Sequence, residues 1–355
     1  MNSVTARSTA EFCEGEQGAS RPRIHETWPD IAKGIGIMLV VYGHVARGVE
    51  KAGLPIDPGF FEVVDALIYA FHMPLFFFVS GYLFWGSVSA RGFLAVLPSR
   101  LMLLLWLYVI WSLGHGAIEV LLGRLTNGNL QWAEVFALWQ PRAHFWYLYA
   151  LALLVLVSSA FVWVPERYRA IALFIAATLA FTAPGLGTGL YPLLVVCWFL
   201  VYFAAGFLLA AYRFRGHKFQ PHALLAYLFW VALAIGWLGL VQQNLFFKIA
   251  AATVGIGLVG LLSLVLARYA ARVSRWLAIL GAAALPIYLA HILAGSGARI
   301  VLQKLLGVDA VWLHLLLGVG TGVLLPWALW VLTTCWGQGG WLWALPKGRK
   351  AGVRR

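Results

Sequence analysis

Lys33 and His44 lie eleven residues apart within Trp28–Gly48, WPDIAKGIGIMLVVYGHVARG. At about 100° per residue, eleven steps of a helix return to within about 20° of the starting direction, so both side chains share one face. Their separation along the axis is about 16 Å, roughly half the apolar core of a bilayer. An ammonium group can hold an anion, and an imidazole kept from water can accept a proton. Such groups are costly in lipid and normally face a protein interior or a polar path.

Other polar side chains recur at comparable positions. Asp65 and His72 are seven residues apart and share a face of the next apolar stretch, where FHMPLFFFVSGYLFWG places Pro74 beside the histidine. Arg142 and His144 open the stretch PRAHFWYLYA, and His291 ends LGAAALPIYLAH after Pro286. Each also has a structural reading. His72 could be a buried histidine bonded to a neighbour, Arg142 and His144 could be interfacial residues beside an aromatic belt, and one buried histidine in a helix is commonly structural. Four histidines from different helices at one depth (His44, His72, His144 and His291) are harder to explain by packing. An intramembrane metal site would need carboxylate partners, which are scarce, and no metal is expected.

Composition settles what must position these groups. Of 355 residues 62% are hydrophobic and only 11% charged, against about 25% charge in soluble domains. The chain is therefore expected to be an all-α, polytopic membrane bundle. Ten spans are predicted, at 31–47, 64–86, 98–121, 144–163, 168–184, 192–212, 221–241, 246–267, 276–301 and 310–334, with a short interfacial helix within 122–143. Residues 1–27 form a polar tail without the apolar core of a signal peptide, 28–335 the membrane domain, and 336–355 a basic C-terminal tail.

The net charge of +13 could suggest nucleic acid, but the cations sit in short loops between spans. With the N-terminus inside, nineteen Lys and Arg fall in inner segments and seven in outer ones. That asymmetry puts both termini in the cytoplasm. Lys33 is then at the inner edge and His44 in the outer half. The 18 Trp suit interfacial belts. Cys13, Cys197 and Cys335 show no paired spacing.

Weaker candidates are set aside on chemistry. His115 and Glu119 read as an i, i+4 pair, His217 and His222 as solvated loop residues, and His314 as a residue near the outer end of the last span. Gly185, Gly187 and Gly189 lack the strand-then-helix context of a nucleotide fingerprint. Ser80 and Gly81, and Gly281 to Ala284, suit close helix approach. There is no Walker, H-E-x-x-H or G-x-S-x-G motif.

DIAKGIGIMLVVYGH, FHMPLFFFVSGYLF, HFWYLYAL and LPIYLAH resemble, in that order, the landmarks of the membrane-bound acyltransferase 3 family, nearest its fucose 4-O-acetylase-like branch. The likeness covers about residues 28 to 295. It implies about ten helices and transfer of an acyl group from cytoplasmic acyl-CoA to the hydroxyl of an extracytoplasmic glycan. The family's basic residue–x10–histidine motif falls on Lys33 and His44, with lysine where many members carry arginine; the cytoplasmic arginine of the third helix is matched by Arg100. Lysine lacks the bidentate fork of arginine. No C-terminal hydrolase-like domain of the kind some members carry is seen.

The resemblance and the polar stripe together give expected roles. Lys33, Arg91 and Arg100 would meet the CoA phosphates. His44 would act as general base on a sugar hydroxyl or carry the acyl group covalently. Arg142 or His291 would support the oxyanion, and Asp65, His72 and His144 would line the acceptor site. Acetyl-CoA is the expected donor, with a surface or exported polysaccharide, or its lipid-linked unit, as acceptor at a bacterial inner membrane. A secondary transporter with a histidine proton relay is the rival from another class, marked by inverted repeats and broken helices. A scaffold in which the histidines only pack is a third reading.

Overall fold

A computed structural model describes residues 24–123, 130–182, 189–211, 245–336 and 339–346. The described residues form helices and turns, without strands. In chain order the helices are α1 (Ile24–Lys51), α2 (Pro58–Arg91), α3 (Phe93–Leu121), the short α4 (Trp132–Phe136), α5 (Trp146–Ser159), α6 (Glu166–Thr182), α7 (Tyr191–Ala211), α8 (Leu245–Tyr269), α9 (Ala271–Ala282), α10 (Ala284–Ile300) and α11 (Val311–Cys335). Seven described helical segments are long and apolar enough to cross a membrane: Pro58–Arg91, Phe93–Leu121, Ala143–Trp163, Tyr191–Ala211, Ile249–Tyr269, Ala284–Leu305 and Val311–Cys335. Exposed Leu94, Leu121, Trp163, Leu324 and Leu325 turn the outward face of the bundle apolar, as a lipid-facing surface requires.

Helix α1 is not among those seven, although its 28 residues exceed the length of a span. Asp30, Lys33, His44 and Arg47 dilute its apolar run, and the bundle compensates by surrounding it: α2, α8, α9, α10 and α11 all pack on it. Helix α6, with 17 residues, also falls outside the set. The expected span 221–241 and the loop residues His217, His222, Gly185 and Gly187 lie outside the described residues, as does most of each terminal tail. The short helix expected within 122–143 is α4, with Trp132 and Phe136 exposed.

Two helix crossings depend on glycine because backbones meet there. A Cβ on Gly34 would stand 2.1 Å from the Leu277 carbonyl oxygen, and one on Gly281 1.7 Å from the Asp30 carbonyl oxygen. Helices α1 and α9 thus interlock reciprocally. The crossing of α2 and α7 repeats the device: Gly81 faces the Phe203 carbonyl and Gly206 the Phe78 carbonyl, each at 1.9 Å from a built Cβ. Without a hydrophobic drive between helices in lipid, such close van der Waals approach is what holds them together.

The expected single span 276–301 is two helices. Helix α9 ends at Ala282 and α10 begins at Ala284, with Ala283 at φ −88°, ψ 4° between them. Pro286 is the cause: it has no N–H for the Ala282 carbonyl, and its ring clashes with that turn. The interruption falls at Ala283, one turn before Pro286, and leaves His291 on a regular helix. The C-terminal boundary also shifts. Residues 340–343, assigned from sequence to a tail, fold onto α3, where Trp106 and Trp111 donate their indole N–H groups to the carbonyls of Trp341 and Leu342, both at 2.8 Å, and Trp343 is buried.

Candidate functional site

The chain direction of the helices puts His44 near the end of α1, His115 near the end of α3, His144 just before α5 and His291 in the middle of α10, all towards one end of the bundle. The rings of His44 and His291 have centroids 5.0 Å apart, those of His144 and His291 also 5.0 Å, and those of His44 and His144 6.2 Å. Three helical elements far apart in sequence therefore bring three imidazoles to one point. They line a cavity of about 320 Å³ together with Arg47, Lys51 and Arg299.

Local hydrogen bonds orient the rings. His44 Nδ1 lies 2.9 Å from the Val40 carbonyl oxygen, one turn earlier on its own helix. A carbonyl can only accept, so Nδ1 carries the hydrogen, and the neutral ring leaves the Nε2 lone pair for other work. His291 repeats this, with Nδ1 2.8 Å from the Tyr288 carbonyl, and its buried Nε2 has no hydrogen-bond partner among the described residues. His44 keeps partial exposure to the cavity, whereas His144 and His291 are buried. Gly318 and Gly295 let Val45 of α1 settle between α10 and α11, which fixes His44 against His291.

His144 is presented by a strained turn. It sits in a short 3-10 segment, Ala143–Phe145, and Ala143 has φ 47°, the only positive φ at a non-glycine among the described residues. That conformation is disfavoured for an L side chain, and Ala143 lines the cavity. Two anchors hold the turn. The Tyr288 hydroxyl donates to the His144 carbonyl oxygen in the buried interior. Arg142 donates to Glu119 at 2.6 Å and to the Ser112 carbonyl at 3.2 Å.

The expected site residues divide accordingly. His44, His144 and His291 converge. Arg142 is committed to Glu119 and Ser112 and is a positioning residue for His144; the oxyanion role expected for its guanidinium has no geometry here, because those bonds tie it to α3 and it does not line the cavity. The expected His115–Glu119 pair is replaced for the same reason: Glu119 is taken by Arg142, and the His115 ring lies 5.5 Å from that of His144. His72 is 1% exposed and gives its Nδ1 to the Ile68 carbonyl at 2.8 Å, one ring away from the cavity behind Tyr69 (4.5 Å between ring centroids). Asp65 binds Arg47 through both oxygens, at 2.6 and 2.7 Å, and holds its guanidinium 3.3 Å over the Tyr69 ring. Asp65 thus shapes the wall and does not itself line the space.

Lys33, Arg91 and Arg100 lie at the opposite end of the bundle, at the start of α1, the end of α2 and the start of α3. Lys33 pairs with Asp30 at 2.7 Å, Arg100 donates to the Ser87 hydroxyl at 3.0 Å, and Arg91 is exposed. Arg47, Arg299, Tyr69 and Tyr288 were not singled out from sequence. Arg299 carried a signal, since an arginine inside an apolar helix is a functional candidate by default, and Tyr288 stands within the LPIYLAH landmark.

A family model described as an acyltransferase domain matches residues 26–331. A curated relative, the nodulation protein NolL of Mesorhizobium japonicum, is 37% identical over 94 residues, which is 25% of this chain and 25% of NolL. The match therefore spans about a quarter of that relative's length. No solved structure matches.

Proposed function

The chain belongs to the acyltransferase 3 family, and from that premise we propose an integral membrane O-acyltransferase that moves an acetyl group from cytoplasmic acetyl-CoA to a saccharide hydroxyl on the far side of a bacterial inner membrane. The observation that carries the reading is the meeting of His44, His144 and His291 at one cavity, at the end of α1 opposite Lys33. The charge asymmetry between loops supports ten spans with both termini in the cytoplasm, which makes the Lys33 end the inner mouth and the histidine end the outer chamber.

In this reading Lys33, Arg91 and Arg100 meet the CoA phosphates. Their fit rests on position and charge: three cations at one end of the bundle, with Arg91 exposed and Lys33 held by Asp30 only through a partly exposed pair. Such pairs contribute little and exchange readily for a better anion. The pantetheine arm carries the thioester towards His44. His44 Nε2 takes the proton of the acceptor hydroxyl as that oxygen bonds to the thioester carbonyl carbon. The C–S bond then breaks, and the CoA sulfur leaves with the proton returned from His44. The Nε2 of His291, a lone pair in the tautomer that its bond to the Tyr288 carbonyl sets, can accept a hydrogen bond from the acceptor saccharide, and His144 orients the acceptor.

The test is acyl transfer by purified protein in liposomes with radiolabelled acetyl-CoA and a panel of saccharide acceptors. Labelled saccharide with wild type, lost in His44→Ala, is the expected result. Label retained on the protein in the absence of acceptor, and lost in His44→Ala, would instead assign a covalent acyl-imidazole step. Wild type that transfers to no acceptor and takes no label would refute the reading.

A further inference from the structure

The histidine cavity contains an arginine that the transfer reaction does not use. Arg299 is 6% exposed, lines the cavity and stands two turns beyond His291 on α10. Its Nε is buried and has no hydrogen-bond partner among the described residues. Among the described residues the guanidinium donates to the neutral side-chain oxygen of Gln303, at 3.2 Å. Gln303 in turn donates to the Ala52 carbonyl at 3.3 Å, from a π-helical turn, Val301–Leu305, that interrupts the end of α10. Such turns are rare and gather at functional sites. Among the described residues no carboxylate lies within 4.0 Å of Arg299.

A buried cation without a counter-charge is costly, and its natural partner is one brought by a ligand. The rest of the chamber has the same bias. Arg47, Lys51 and Arg299 line it, while Asp65 is the one carboxylate paired with any of them among the described residues. Along α10, Arg299 is about 12 Å from His291, and helical side chains lean back towards the N-terminus. The guanidinium therefore reaches back along the cavity wall towards the histidines that line the same space.

We propose that Arg299 is an anion-binding subsite for the acceptor: the saccharide that offers its hydroxyl to His44 also carries a carboxylate or phosphate, which the guanidinium holds beyond the reacting sugar. This rests on the acyltransferase reading above. The anion could be an acidic sugar or the diphosphate of a lipid-linked unit, and both present planar or clustered oxygens suited to the fork of arginine.

The test uses the full-length protein in liposomes, with three acceptors: a glucuronic acid-containing disaccharide, its neutral glucose counterpart, and a polyprenyl diphosphate-linked neutral disaccharide. Wild type, Arg299→Gln and Arg299→Lys are compared for transfer kinetics and for thermal stabilisation by each acceptor. Wild type should prefer an anionic acceptor, and the arm that wins names the source of the anion. Arg299→Gln should raise the acceptor KM about tenfold to hundredfold, with kcat nearly unchanged and no loss for the neutral disaccharide. Arg299→Lys should recover part of that, which controls for a folding defect in the glutamine variant. Equal use of neutral and anionic acceptors, or equal loss on all of them in both variants, overturns the subsite. Stabilisation by anionic saccharides through Arg299 with no transfer by wild type would keep the subsite and sink the transferase reading instead.

Discussion

His44→Asn separates chemistry from packing at the candidate base. The histidine makes a hydrogen bond from Nδ1 to the Val40 carbonyl at 2.9 Å. An asparagine amide reaches nearly the same place as Nδ1–H and can keep that bond, but it offers nothing where Nε2 stood. The stability at stake is at most that of one hydrogen bond, about 0.5–1.5 kcal/mol, and in a chain of this size it moves the melting temperature by no more than a few degrees. Removal of a general base costs about 10²–10⁴ in rate, or about 2.7–5.5 kcal/mol of barrier. The rate effect therefore wins by a wide margin. The assay is initial rate of acyl transfer in liposomes, alongside size-exclusion behaviour and thermal unfolding in detergent. A variant that unfolds near the wild-type temperature and retains more than about a tenth of the rate would refute the assignment of His44 as base.

Lys33→Arg should preserve most transfer and Lys33→Ala should raise the KM for acyl-CoA severalfold, read from initial rates against donor concentration; equal loss in both would assign Lys33 to packing, since its pair with Asp30 is partly exposed and contributes less than about 1 kcal/mol. Gly281→Val should abolish assembly, because its Cβ would stand 1.7 Å from the Asp30 carbonyl, whereas Gly297→Ala, with nothing within 4 Å, should leave the yield of monodisperse protein unchanged. A cysteine at Gln131, which is exposed, should react with a membrane-impermeant thiol reagent from outside the cell; reaction solely from the cytoplasmic face of inverted vesicles would reverse the proposed orientation.

The sequence makes the bundle plain because lipid imposes a simple rule: backbone groups must be satisfied inside a helix, so long apolar runs become helices. The same rule says little about where a run is interrupted. Pro286 removes one rung of the helix ladder, but spacing alone does not say that the interruption falls at Ala283, beside the crossing where Gly281 meets α1. The convergence of His44, His144 and His291 was legible from equal depth along separate spans. The partners of Arg142 and His115 were not, because i, i+4 spacing favours Glu119 for His115 and says nothing of a guanidinium arriving from another element. Nothing in the spacing links Arg47 to Asp65 and Tyr69, which only the fold brings to it. The family match favours the transferase over the transporter, a choice that the histidines alone leave open.

The reciprocal glycine crossing at one end of α1, and the seating of Val45 against Gly295 and Gly318 at the other, have a mechanical consequence. Helix α1 is clamped near both ends, by α9 below the Ala283 break and by α10 and α11 above it. It cannot slide or turn as a piston between the two mouths without lifting backbone off backbone. The turn at Ala283 falls between the two clamps, so α9 and α10 each hold α1 through a contact of their own. On the proposed acyltransferase reading, motion that admits a thioester arm comes from the walls around α1, with α1 serving as the fixed axis against which they move.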